Sequence, residues 1–172
     1  EDLNTEQLAD RLSEWALNRD NLLKVLPHAQ SRMETLGDFM PLVAFLASGQ
    51  LPLTEAHFAE NRLPMDEQKQ LLQLALWRLE ALRVWERDEI FNALKELAGQ
   101  MDIKLKDFLA PIFIAIAGTT ASFSVMDSMT LLGPDMSRAR LRQAINIWGE
   151  VGKKQLKKLE KAYAALGSNP ED

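Results

Sequence analysis

The segment at residues 105–117 constrains this chain most. It contains LAPIFIAIA, is apolar on almost every side, and stops at Gly118. A helix without a polar face has to be surrounded by other elements, so this run is expected to be the most buried part of the fold. The surrounding sequence supplies helices to cover it. Asn4 or Thr5 is placed to cap a first helix, with Leu8, Leu12, Trp15 and Ala16 on one face at 3.6-residue spacing. A second helix is predicted over about 20–30, shortened or kinked by Pro27. A third, over 36–47, is capped by Thr35 and ends before Gly49. Residues 50–64, with Pro52 and Pro64, read as a connector with one short helical turn.

Further helices are predicted over about 67–85, capped by Asp66, and over 89–99, capped by Asp88. A short one over 125–132 stops at Gly133-Pro134. Another is capped by Ser137 and runs to Trp148, and a lysine-rich helix follows Gly152. No run alternates cleanly with β-branched residues, and no Asn-Gly or Asp-Gly hairpin occurs. The expectation is an all-α fold of two small helical lobes without a substantial sheet. Residues 1–60 form the first lobe and connector, 61–150 the second lobe, and 151–172 a lysine-rich helical extension with a frayed tail.

Composition narrows the function. The 172 residues are 47% hydrophobic and 26% charged, which suits a globular chain and not a disordered one. There is no Cys and there are only two His, His28 and His57, so disulfide scaffolds and zinc enzymes are disfavoured. No stretch approaches the roughly 20 apolar residues of a membrane span. The acidic, amphipathic start EDLNTEQLADRL is unlike a signal peptide. A soluble, cytoplasmic monomer with no membrane partner is expected. The formal net charge of −5 makes the chain a poor nucleic-acid binder by bulk composition. A local basic face is still compatible with that charge, and the densest is at Lys153, Lys154, Lys157, Lys158 and Lys161. Such a run is either a solvated helix face or a backbone contact for a polyanion.

Catalytic signatures are absent. The sequence has no Gly-rich phosphate loop, no His-x-x-x-His pair and no Gly-x-Ser-x-Gly elbow. His28 reads as a surface or satisfied histidine. The four Trp and seven Met read as packing.

Three segments carry a resemblance. In LLKVLPHAQSRMETLGDF, Leu26-Pro27 closes a leucine-rich helix, Arg32 follows, and Thr35-Leu36 opens the next helix. In LKDFLAPIFIAIAGTTASFSVMDSMTLLG, Pro111, Ala115 and Gly118 are followed by a small polar loop, a short helix and Leu132-Gly133. In SRARLRQAI, Ala139 to Leu141 form an Ala-Arg-Leu core. Taken in order over about 5–147, these resemble the anticodon-binding region of bacterial glutamyl-tRNA synthetases, which are class I aminoacyl-tRNA synthetases. The chain departs from that pattern at Phe113, where many members have Arg, and at Ser122-Phe123, where many have Ser-Pro. Roles of those residues do not carry over. The lysine tail extends past the usual end of the family.

The resemblance implies a chain that binds the anticodon arm of glutamate tRNA and catalyses nothing alone. The class signatures His-Ile-Gly-His and Lys-Met-Ser-Lys are missing, as is a strand–helix alternation to house them. The parent ligase would join glutamate to its tRNA with ATP and a magnesium ion, held in an N-terminal catalytic domain that is also this chain's partner. No cofactor or metal is expected in the chain itself.

The resemblance places an anticodon-reading Arg at Arg32, facing the third anticodon base. Splayed anticodon bases are read by planar forks and short hydroxyls. Arg32 and Thr35, with Thr119, Thr120 and Ser122, would therefore line one groove between the lobes. Lys153, Lys154, Lys157 and Lys158 are candidate tRNA backbone contacts. The plainer alternatives are a surface salt bridge of Arg32 with Glu34 or Asp38, and simple helix capping by the Thr and Ser hydroxyls. An all-α protein–protein interaction module is the competing function, and an independent small enzyme a more remote one.

Overall fold

A computed structural model describes residues 3–16, 18–119, 122–149 and 152–167. Among these residues nine α-helices occur and no strand. They are α1 (Thr5–Ala16), α2 (Arg19–Ala29), α3 (Phe39–Ala47), α4 (Met65–Glu80), α5 (Arg87–Gln100), α6 (Leu105–Ala117), α7 (Val125–Leu132), α8 (Pro134–Asn146) and α9 (Lys153–Gly167). Three 3-10 turns lie between them, at Gln30–Arg32, Leu36–Asp38 and Glu55–Phe58. The last is the helical turn expected within the connector.

The apolar run forms α6 with the predicted bounds. Phe108, Ile112, Ala115 and Ile116 are fully buried, whereas Leu109 and Phe113, expected in the core, are half-buried on its flank. Gly118 ends the helix with φ 75°, a left-handed geometry that side-chain-bearing residues adopt only at a cost. Around α6 pack α4, α5, α7 and α8, and their facing Leu, Ile and Ala residues make one continuous core. A second cluster joins Ala29 of α2, Val43 and Phe45 of α3 and Leu51 to Ala117 and Phe123. Residues from the far half of the sequence therefore complete the core of the first lobe.

Several boundaries differ from the sequence expectation: α4 starts at Met65 and α5 at Arg87, so Asp66 and Asp88 lie in first turns instead of capping them, and α8 ends at Asn146, short of Trp148. Helix α4 ends at Glu80 rather than near Trp85. The Trp85 indole leaves the helical path to donate to the Met129 carbonyl at 2.9 Å, with the Arg138 guanidinium 5.4 Å from its ring centre. A tertiary hydrogen bond and a cation–π contact thus override local helix propensity. Helix α8 begins at Pro134 and not after Ser137. Pro needs no amide partner at a first helical position, so Gly133-Pro134 both stops α7 and starts α8. Ser137 is instead buried and donates to the Met129 carbonyl at 3.4 Å. The third predicted helix opens as a 3-10 turn before α3 proper begins at Phe39.

At the start of the chain, Asn4 caps α1: Gln7 N donates to Asn4 Oδ1 at 2.9 Å and Asn4 N to Gln7 Oε1 at 3.1 Å. Leu8 and Leu12, on its apolar face, are about half exposed. The side chains of Trp15 and Ala16 lie outside the described residues. No described helix is long and apolar enough to cross a membrane.

Candidate nucleic-acid interface

Helix α2 runs through Pro27 to Ala29 and tightens into the 3-10 turn Gln30–Arg32. Pro27 has no amide to bond back into its helix, which weakens the final turn and favours the change of pitch. Met33 is extended, and Thr35 opens the next turn in a capping box with Asp38. The Asp38 carboxylate accepts from Thr35 N at 2.7 Å and Glu34 N at 2.9 Å. These amides, that of Thr35 foremost, hold the Asp38 carboxyl below the usual carboxylate range.

This arrangement resolves the salt-bridge alternative for Arg32. Asp38 is committed to the backbone, and Arg32, exposed, forms no ion pair among the described residues. Beside this turn is an open hollow of about 420 Å³, lined by Leu26, Gln30, Met33, Glu34, Thr35 and Leu36. Leu36 is 90% exposed.

The second candidate segment divides into three fates. Thr119 is exposed directly after the left-handed Gly118. Thr120 lies outside the described residues. Ser122 is only 6% exposed, and its hydroxyl donates to the Leu42 carbonyl of α3 at 3.3 Å. The expectation that Ser122 faces a ligand is corrected on this ground: its hydroxyl lies in the seam between the lobes. Phe123, where the resembled family often has Pro, fills the same seam. Its ring centre is 5.5 Å from that of Phe45 and 5.8 Å from that of His28. Capping of the following helix falls to Ser124, whose Oγ accepts from Asp127 N at 3.2 Å.

Two further ties hold the segments together. His28, in the last turn of α2, lies 3.7 Å from Asp127 of α7, which also pairs with Arg87 at 3.0 Å. Arg140 of α8 is 1% exposed. It donates to the carbonyls of Phe45 and Ser48 at the end of α3, of Gly49 beyond it, and of Ile116 in the last turn of α6. Burial lowers its guanidinium to about 10, so it stays charged at neutral pH. In the sequence Arg140 stands out only as the middle of Ala-Arg-Leu. The available signal was its spacing: Ser137, Arg140, Leu141, Ala144 and Ile145 form the buried stripe of α8.

The lysine row is built differently. Helix α9 turns Leu159 inward and sets Tyr163 against Trp77, while Arg78 Nε donates to the Tyr163 hydroxyl at 3.1 Å. Lys153, Lys154, Lys157 and Lys158 are exposed on the other side. Because α9 docks on α4 whereas the Arg32 turn adjoins α2 and α3, these two candidate sets stand on different elements. Trp77, Trp85 and Trp148 all pack against the main core, as expected of structural tryptophans.

Known proteins match this sequence over its whole length and this arrangement over most of it. The chain is 61% identical to a glutamate–tRNA ligase of Cellvibrio japonicus and 58% identical to one of Saccharophagus degradans. Each match covers all of this chain and 34% of the ligase, so the chain spans about a third of those relatives. The lysine helix lies within both matches. A crystal structure of a glutamate tRNA ligase from Elizabethkingia meningosepticum in complex with its amino acid shares the fold with a TM-score of 0.68 at 17% identity, over 82% of this chain and 28% of that one. The profile of the anticodon binding domain family matches residues 7–145, and the chain belongs to that family.

Proposed function

We propose that this chain is the anticodon-arm-binding part of a glutamate–tRNA ligase and that it reads the glutamate anticodon without performing the ligation. The observation that carries the reading is Arg32: an exposed guanidinium with no ion pair among the described residues, closing the 3-10 turn Gln30–Arg32 just before the turn that the Thr35–Asp38 capping box fixes. A fork of this kind matches a base edge or a phosphate in two-point geometry, and a fixed turn limits the entropy lost on contact. Thr35 caps the turn that follows Arg32, and Thr119, with Thr120, is proposed to offer hydroxyls to the same RNA loop. Lys153, Lys154, Lys157 and Lys158 supply at most a general attraction to the phosphate backbone.

Activation of glutamate with ATP and a magnesium ion belongs, in this reading, to the catalytic part of the ligase, and the chain acts as one monomeric module of that cytoplasmic enzyme. Neither the family nor the relatives favour a protein–protein interaction module instead.

Titration of a glutamate anticodon stem-loop at several salt concentrations tests the reading. Each phosphate contact to a single strand contributes a slope of about −0.7 to the dependence of log affinity on log salt. Binding that weakens steadily with salt is expected. No binding at low salt, or binding indifferent to salt, contradicts the proposal.

A further inference from the structure

Arg140 is the one charged side chain among the described residues that is buried to this degree, and no carboxylate accompanies it. Its partners are carbonyls at the ends of two helices, Phe45 and Ser48 for α3 and Ile116 for α6, with Gly49 as the fourth. Helix C-termini carry unsatisfied carbonyls and the negative end of the macrodipole. One planar fork satisfies both ends together, a span that a lysine ammonium does not reproduce.

Those two helix ends lead to both candidate contact segments. Helix α3 starts directly after the Leu36–Asp38 turn, whose Asp38 also accepts from Glu34 N two residues past Arg32, and α6 ends two residues before Thr119. With 9 residues, α3 is a short rigid rod, so a shift at its C-terminal end is transmitted to its N-terminal end. Ser122, in the loop after α6, grips the same rod at Leu42.

We propose that Arg140, with Ser122 as a second fastener, is a positioning residue for RNA recognition: it fixes the Arg32 turn relative to Thr119 so that one RNA loop meets both. This rests on the anticodon-arm reading above.

The test measures binding of the glutamate anticodon stem-loop to the full 172-residue chain, to Arg140→Lys, to Arg32→Ala and to the double variant. Each affinity is normalised to the folded fraction from circular dichroism. Arg140→Lys is expected to lose about ten- to a hundredfold in affinity per folded molecule, the scale of a small misplacement of contact groups. Arg32→Ala should then cost less in the Arg140→Lys background than in the wild type, because the contact is already misaligned. Equal costs in both backgrounds, or unchanged affinity per folded molecule, overturn the inference and leave Arg140 a stabilising residue only. If Arg140→Lys does not fold, Ser122→Ala takes its place: a smaller loss with the same sub-additivity supports the proposal, and strict additivity overturns it. A folded wild type that binds no stem-loop overturns the anticodon reading and this inference with it. Wild-type binding weakened by Arg32→Ala, beside additive behaviour at Arg140 or its substitute Ser122, overturns this inference alone.

Discussion

Two arginines in this chain show opposite uses of the guanidinium group. Arg32 is exposed and has no ion pair among the described residues, while Arg140 is enclosed by carbonyls. The turn that carries Arg32 was legible in the sequence from Leu26-Pro27 before it and Thr35-Leu36 after it. Arg140 was not, because an arginine is normally read as surface, and only its place on the apolar stripe of α8 betrays burial. Ser122 illustrates the same limit: nothing local distinguishes a hydroxyl that faces a ligand from one that bonds Leu42 across a seam. Asp38 yields a prediction about pH. Its carboxyl is depressed in the folded state by the Thr35 and Glu34 amides. A depressed carboxylate contributes stability that is present above its unfolded pKa and is lost as pH falls through the folded value. Asp38→Asn should therefore lower the thermal midpoint at neutral pH, and the gap from the wild type should close in acid. A gap that persists unchanged into strong acid would show that the capping charge is immaterial.

At the scale of elements, α6, α7 and α9 followed their sequence signals closely, because an all-round apolar run, Gly-Pro punctuation and Gly152 act locally. The end of α4 was misplaced because Trp85 bonds Met129, far along the sequence, and the start of α8 because Pro134 opens that helix while Ser137 is buried and bonds back to Met129. Ile116 in α6 is fully buried, so Ile116→Ala should destabilise the chain by about 2–5 kcal/mol in urea unfolding. A change below about 0.5 kcal/mol, the range of surface substitutions, would contradict the placement of α6. For α9, replacing Lys153, Lys154, Lys157 and Lys158 with Gln should leave the salt slope of stem-loop binding nearly unchanged, since the helix docks on α4 and away from the elements of the Arg32 turn. A slope flatter by about 0.7 for each of several lysines would instead bring α9 onto the RNA backbone.

At the scale of the whole molecule, the lobes are fastened by apolar and polar contacts together. Ala117 and Phe123 complete the first lobe's core, Gln143 accepts from Leu51 N at 3.2 Å, and Arg140 links the ends of α3 and α6. A helical assembly was legible from periodicity and caps. The seam was not, because it joins side chains from opposite halves of the sequence and depends on Phe123 where the resembled family often has Pro. In the proposed function Arg32 reads a base from the turn Gln30–Arg32. Binding of the matched glutamate anticodon stem-loop and of one altered at the third anticodon base is compared for the wild type, Arg32→Ala and Arg32→Lys. Both substitutions should weaken the matched complex, Ala by about 1–3 kcal/mol, and both should narrow the gap between the two stem-loops while the fold survives. Equal losses for both stem-loops would reduce Arg32 to a backbone contact, and no loss for either would contradict the account.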